Sequence, residues 1–206
     1  MSRYIGPKCR LCRREKMKLF LKGEHCSTKC PIEKKGAIPP GQHGLKSSTR
    51  RSSDYGRQLR EKQKVKRIYG LSEKQLKNYF QKAFKLKQAT TEALLQMLES
   101  RLDNVVYRLG FAPARSLARQ LVLHRHILVD GKKVNVPSYQ LKPEQTISLG
   151  TKALALDTVK KSLAEKNKIA DWLKKKAAVG QVIRMPRRDE IESDIDDQLI
   201  VEYYSR

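Results

Sequence analysis

Four cysteines crowd the first 30 residues, spaced as Cys9-x2-Cys12-x13-Cys26-x3-Cys30. Two close thiol pairs separated by a loop are what tetrahedral four-sulfur coordination requires, and Zn2+ is the usual occupant of such a set. An iron–sulfur cluster can use the same four thiolates and is the main rival, with unliganded reduced thiols as a third reading. Four protein ligands leave no open coordination position. The expected role is therefore structural: metal binding supplies folding energy to a segment that has few apolar residues of its own. His25 adjoins Cys26 but is surplus to a complete cysteine set. The chain opens Met-Ser-Arg-Tyr with no signal-peptide pattern, and no apolar run reaches membrane-spanning length, so a reducing cytoplasmic setting without disulfides is expected.

Other reactive constellations are missing from the sequence. It holds no G-x-G-x-x-G, no P-loop and no H-E-x-x-H. His124 and His126, two apart, fall on opposite faces if they lie in a strand, and Glu99 and Asp103 read as helix-surface charges rather than an acid–base pair. An enzyme is not expected.

Charge points to a different activity. The chain carries 45 Lys+Arg against 21 Asp+Glu over 206 residues, a formal charge of +24. Such an excess opposes compaction and attracts polyanions, above all nucleic acid, whose condensed counterions are released as phosphates are neutralised. Residues 1–90 hold 25 basic and 6 acidic side chains and form the main electrostatic footprint. Between Asp189 and Glu202 the sign reverses with no Lys or Arg, which suits a basic protein neighbour or the chain's own basic surface. A membrane partner is not expected.

The elements that must position these groups are partly legible. Residues 36–44, Gly-Ala-Ile-Pro-Pro-Gly-Gln-His-Gly, cannot form a regular helix because adjacent prolines remove donors and fix φ. The pattern predicts a helix over 54–69 with Arg57, Arg60, Lys64 and Arg67 on one face and Tyr55, Leu59, Val65 and Tyr69 opposite. Ser72 and Gln75 form a capping-box pattern that starts the next helix, with Leu71 and Leu76 as its staple. The stripe Leu76, Tyr79, Phe80, Ala83 and Phe84 reads as core rather than as a base-stacking platform.

A change of domain is expected near Ala89–Thr91. A helix over 92–109 ending at Gly110 and another over 114–123 lead into strands at Ile127–Val129 and Lys133–Val136 joined by an Asp130-Gly131 turn. Gln140–Leu141 and Thr146–Leu149 are further strand candidates, 158–178 reads as a lysine-rich helical region containing Trp172, and Leu199–Tyr204 as a C-terminal strand. The fold class is mainly α with a small antiparallel sheet (α+β). The expected domains are an extended four-cysteine module over 1–50, a helical lobe from 51–91 and 175–206, and an RNA-binding module over 92–174.

Phosphate contacts are expected from the basic side chains of each part. In the first they are Arg3, Lys8, Arg10, Arg13 and Arg14, with His43, Arg50 and Arg51. In the lobe they are Arg57, Arg60, Lys64 and Arg67. In the third they are Arg108, Arg115 and Arg119, then His124, Arg125, Lys132 and Lys133.

These residues together resemble the bacterial-type small ribosomal subunit protein four family over essentially the whole chain. The likeness is carried by Tyr4, Gly6-Pro7 and the cysteines, by Pro40-Gly41-Gln42-His43-Gly44, and by the run from Ser53 to Val65. It continues through Arg101–Gly110, Ala118–Val122, Val134–Tyr139 and the terminal Gln198–Arg206. Arg125 stands where many members have Gly, and Asp130 where Asn is common. The resemblance implies a primary 16S rRNA binder that nucleates assembly of the subunit body. It further implies contact with small-subunit protein five and other small-subunit proteins, an influence on decoding accuracy, basic residues near the mRNA entry channel, and no free homo-oligomer. It places this chain among the metal-bearing members. A non-ribosomal RNA-binding accessory protein and an RNA-modifying enzyme are the other readings.

Overall fold

The computed structural model describes residues 4–49, 52–86, 88–165, 169–191 and 195–205. Arg3, Arg50 and Arg51 lie outside the described residues. The chain divides into two compact units: residues 1–85 with 194–206, and residues 86–193.

The first unit is helical. Its N-terminal segment contains α1 (Lys8–Glu15), α2 (Glu24–Thr28) and α3 (Pro31–Lys35), so it is more ordered than an extended arm. Residues 36–43 stay non-helical up to α4 (Gly44–Thr49), as the two prolines require. Gly44 is needed there: a Cβ would sit 2.2 Å from the Pro39 carbonyl oxygen. α5 (Asp54–Ile68) is capped by Ser53, whose hydroxyl accepts from the Gly56 N–H at 3.2 Å. α6 (Glu73–Phe84) starts at the expected capping box: Ser72 Oγ accepts from Gln75 N, and Gln75 Oε1 accepts from Ser72 N. Leu76, Phe80 and Ala83 are buried, but Phe84 is exposed, so the last member of that stripe is not core.

The second unit builds on α7 (Thr90–Glu99), α8 (Leu102–Arg108) and α9 (Arg115–Leu123). The single helix expected over 92–109 is two helices. Arg101 is extended and bridges Gln140, with Leu102 N–H donating to Tyr139 and Leu141 N–H to Ser100. The backbone at Ser100–Arg101 is thus taken up by the loop over 137–141, and the strand expected at Gln140–Leu141 is this one bridge.

The sheet comprises β1 (Ile127–Val129), β2 (Lys132–Lys133) and β3 (Thr146–Leu149), then β4 (Leu173–Lys176) and β5 (Val179–Val182), antiparallel in the order β2-β1-β3-β5-β4. β2 is shorter than expected. The region read as helical over 158–178 divides: α10 (Thr151–Leu154) and α11 (Asp157–Ala164) precede β4, and Trp172 leads into that strand from the middle of the core. That core joins Leu102, Val106, Leu109 and Phe111 to Leu121, Val122, Ile127, Ile147 and Trp172. Gly180 lets β5 approach it, since a Cβ there would lie 2.4 Å from Leu109 Cδ1.

The last element corrects the expected strand at Leu199–Tyr204. It is a helix, α12 (Asp197–Tyr204), capped by Asp196, whose carboxylate accepts from Leu199 N–H, and packed on α5 with Ile200 buried. Packing against α5 overrides the strand preference of a β-branched and aromatic run.

Candidate nucleic-acid interface

Cys9 and Cys12 stand on α1 one turn apart, Cys26 on α2, and Cys30 immediately before α3. Cys12, Cys26 and Cys30 are buried, and none of the four cysteines is joined in a disulfide. The Lys22 N–H donates to Cys26 Sγ at 3.3 Å. Burial pushes the Cys12 thiol above its ordinary range; a Leu19 backbone hydrogen bond opposes this, and Cys26, Cys9 and Cys30 add to it as charged neighbours. The four thiols therefore share one neighbourhood. Among the described residues, no group of three or more His, Cys, Asp or Glu is gathered closely enough to hold a metal ion. The donor set fits a thiophilic ion in its chemistry, without standing at coordination geometry.

The cations of this segment divide into structural and exposed. Lys8 Nζ donates to the Leu21 carbonyl at 3.2 Å, and Arg13 Nε to the Ile38 carbonyl at 2.8 Å, which ties the proline loop to α1. Arg10, Arg14 and His43 are exposed. On α5 the expected phosphate face is largely engaged within the protein. Arg60 reaches Glu15 at 3.3 Å, Arg67 pairs with the same carboxylate, and Lys64 is buried against Glu61 at 2.7 Å. Arg57 is the outward member; it pairs with Asp54 in an exposed contact worth little in water. Glu15 was not expected to matter. Its side chain is 1% exposed; burial pushes its carboxyl upward, while Arg67 and Arg60 draw it back.

The second unit repeats the pattern. Glu99 takes Arg108 in a two-point pair at 3.0 and 2.9 Å and accepts from Asn104 Nδ2 at 2.8 Å. Because both Asn104 bonds to Glu99 come from its nitrogen, its oxygen is left to accept from Arg115 Nε at 2.8 Å, and Arg115 lies over the Tyr107 ring. Asp103 receives Arg101 at 3.0 and 2.8 Å and Arg119 at 3.0 Å. Arg119 is thus buried against Asp103 and not presented to phosphate as expected.

His124 and Arg125 are exposed in the turn after α9. The two imidazoles do not fall on opposite faces, because they precede the strand: His124 and His126 have ring centroids 6.0 Å apart. Arg125 has φ +60°, the left-handed conformation that explains why glycine suits this position. Asp130 (φ +49°) accepts from Thr146 N at 2.8 Å and Gln145 Nε2 at 3.0 Å, so its carboxylate ties the turn to β3. Lys132 and Lys133 are exposed on β2. Sequence reasoning missed Lys174 and Lys176, exposed on β4; the run Leu173–Lys176 holds no apolar–polar alternation that would mark it as a strand.

The acidic stretch is partly internal. Glu190 pairs with Arg184, Asp196 caps α12, and Glu202 accepts from Gln58 Nε2 at 2.9 Å. Asp189 is exposed, while Glu192 and Asp194 lie outside the described residues.

Helices α8 and α9 feed a small sheet, a basic helical unit precedes them in the chain, and each unit exposes cations, as a protein of the RNA-binding class requires. Two family profiles match in tandem: the ribosomal protein S4/S9 N-terminal domain over residues 3–99 and the S4 domain over residues 100–147. Small ribosomal subunit protein uS4 of Thermodesulfovibrio yellowstonii is 52% identical, that of Thermoanaerobacter sp. 50%, and that of Thermus thermophilus 49%, each over all of both chains. The chain belongs to the small ribosomal subunit protein uS4 family.

Proposed function

We propose that this chain is a structural, non-catalytic component of the small ribosomal subunit that binds 16S rRNA. It works in the cytoplasm, where subunits assemble; among the described residues no helix is long and apolar enough to cross a membrane. The observation that carries the reading is the full-length likeness to uS4 proteins together with an exposed excess of cations. Arg10, Arg14, Arg57, Arg125, Lys132 and Lys133 point outward and are suited to phosphates, while Arg60, Arg67, Arg108 and Arg119 act first as internal ties. Contacts made through backbone phosphates fix register and helix angles in the RNA, which is what an assembly nucleator of the subunit body must do. Contact with small-subunit protein five, and through it an influence on decoding accuracy, is part of the same reading, as is a basic margin near the mRNA entry channel.

Cys9, Cys12, Cys26 and Cys30 would hold a structural Zn2+, an iron–sulfur cluster being the rival. Either would organise α1–α3 and supply folding energy. Buried thiols that must lose protons to bind metal make that affinity pH-dependent.

The direct test is binding of the full chain to a 16S rRNA 5′-domain fragment at physiological salt, against an unrelated structured RNA of equal length. At least roughly ten-fold preference for the first is expected if more than charge is read. Equal affinity for both would sink specific rRNA recognition. Metal analysis with an absorption spectrum separates zinc from a coloured cluster.

A further inference from the structure

Aromatic rings form a continuous row in the first unit. Phe84 lies against Phe80 with centroids 6.3 Å apart and planes 25° apart, and Phe80 against Tyr204 at 4.7 Å and 28°. Tyr203 meets Tyr204 edge-on at 5.2 Å, and Tyr55 follows at 5.9 Å. The inner part of the row is held rigidly. The Tyr204 hydroxyl donates to Glu73 at 3.2 Å, and the same carboxylate takes Lys62 at 2.7 Å and Lys66 at 3.1 Å. The Lys62 ammonium lies 4.3 Å from the Tyr203 ring centre.

The outer end is different in kind. Phe80 is buried, yet Phe84 is 66% exposed. The ring stands near-parallel to Phe80, and most of the side chain meets solvent. Its surroundings are cationic. Lys77 lies two turns back on the same side of α6, and Lys82 and Lys85 flank the ring in sequence; all three are exposed. Between Glu73 and Glu92 there is no Asp or Glu. An exposed ring near-parallel to a buried aromatic support, in a lysine-rich stretch without acids, has the chemistry of a single-strand platform: the π-face takes a base and cations of the same stretch take its phosphates. A protein partner would call for a contiguous apolar face. Here the exposed large apolar side chains are Phe84 and, two residues on, Leu86, a pair rather than an extended face.

Resting on the RNA-binding reading above, we infer that Phe84 is a stacking site for one unpaired nucleobase of the bound RNA. Stacking tolerates any base, so the site selects an unpaired, splayed-out nucleotide rather than a sequence. Rigid support by Phe80, Tyr204 and Glu73 lowers the ordering cost of binding.

The test uses the full chain and the 16S rRNA 5′-domain fragment. Phe84→Leu keeps apolar bulk but removes the π-face, and Phe84→Ala removes both. Each is expected to weaken binding roughly ten-fold, the size of one stacked base, without changing the salt slope. Phe84→Trp is expected to keep the affinity and to show emission quenched on binding, against the constant background of buried Trp172. Wild-type affinity in Phe84→Leu, or unquenched emission in Phe84→Trp, would overturn the assignment. So would normal fragment binding by both truncations combined with poor recovery in assembled subunits, which would make the ring a protein contact. Failure of the unaltered chain to prefer the fragment sinks the RNA reading itself, a different result from loss in the variants alone.

Discussion

Glu15 and Glu99 make the instructive comparison, one in each unit. Both side chains are 1% exposed, and both gather guanidinium groups in a chain where acids are outnumbered about two to one. Glu99 is closed in: Arg108 grips it at two points and Asn104 adds an amide donor, while Asn104 orients Arg115 in turn. Glu15 is gripped from α5 by Arg67 and, more loosely at 3.3 Å, by Arg60, whose side chain remains 32% exposed. One carboxylate therefore builds a locked scaffold and the other a clasp with a cation at the water's edge. A strongly basic protein uses its few buried acids to decide which cations are fixed and which can be given to a ligand.

The broadest way to break the comparison is to strip the metal proposed for the four cysteines. With a chelator, the first unit is expected to lose the cooperative melting of its N-terminal segment while the second melts as before. Equal stability of both units with and without chelator would show that the thiols carry no folding energy.

Next in size, Glu99→Ala leaves Arg108 withdrawn from water without its carboxylate. A loss of about 3 kcal/mol in the second unit is expected by denaturant unfolding. Gly180→Ala drives a methyl group into Leu109 and is expected to cost about 2 kcal/mol in the same unit. A loss from Glu15→Gln as large as that from Glu99→Ala would erase the distinction drawn above. No such loss is expected, because the neutral amide avoids the burial cost that raises the Glu15 carboxyl, still accepts one hydrogen bond, and leaves Arg60 free to turn to solvent. That variant should also steepen the salt dependence of RNA binding by about one phosphate contact.

The smallest effect is in acid, where the first unit carries two carboxyls of opposite behaviour. Burial raises Glu15 above the unfolded value, so protonating it as pH falls relieves a cost of folding. For Glu73, burial pushes upward, but hydrogen bonds and charge from Lys62 and Lys66 outweigh it and hold the carboxyl low. Its contribution is present above the unfolded carboxyl range and lost as pH drops through its depressed folded value. Glu73→Gln should flatten the acid limb of the first unit's stability curve, and Glu15→Gln should remove the opposing gain.

What could be read from the sequence followed local rules. The Ser72–Gln75 capping box, the proline-bound loop and the helix ends depend on neighbours within four residues, and the structure keeps them. Glu15 could not be seen as an anchor because Arg60 and Arg67 lie 45 and 52 residues away. The same distance problem hid the break at Ser100–Arg101, which is made by residues 139–141, and the helical state of Leu199–Tyr204, which is set by α5. The α5 face was placed correctly on the helix but not in its role, since periodicity locates a cation without saying which acid it meets. Lysines 174–176 looked helical because neither their register nor their antiparallel partner, β5, is encoded within the segment.

The two outer strands of the sheet, β2 and β4, carry Lys132-Lys133 and Lys174-Lys175-Lys176. Open strand borders are templates on which a second chain can add itself, and lysines placed there make such pairing repulsive. A protein awaiting its RNA is most exposed to self-association while its charges are uncompensated by phosphate. That same charge along both borders keeps the newly made chain soluble during this interval, so the lysines act as gatekeepers before any of them meets RNA.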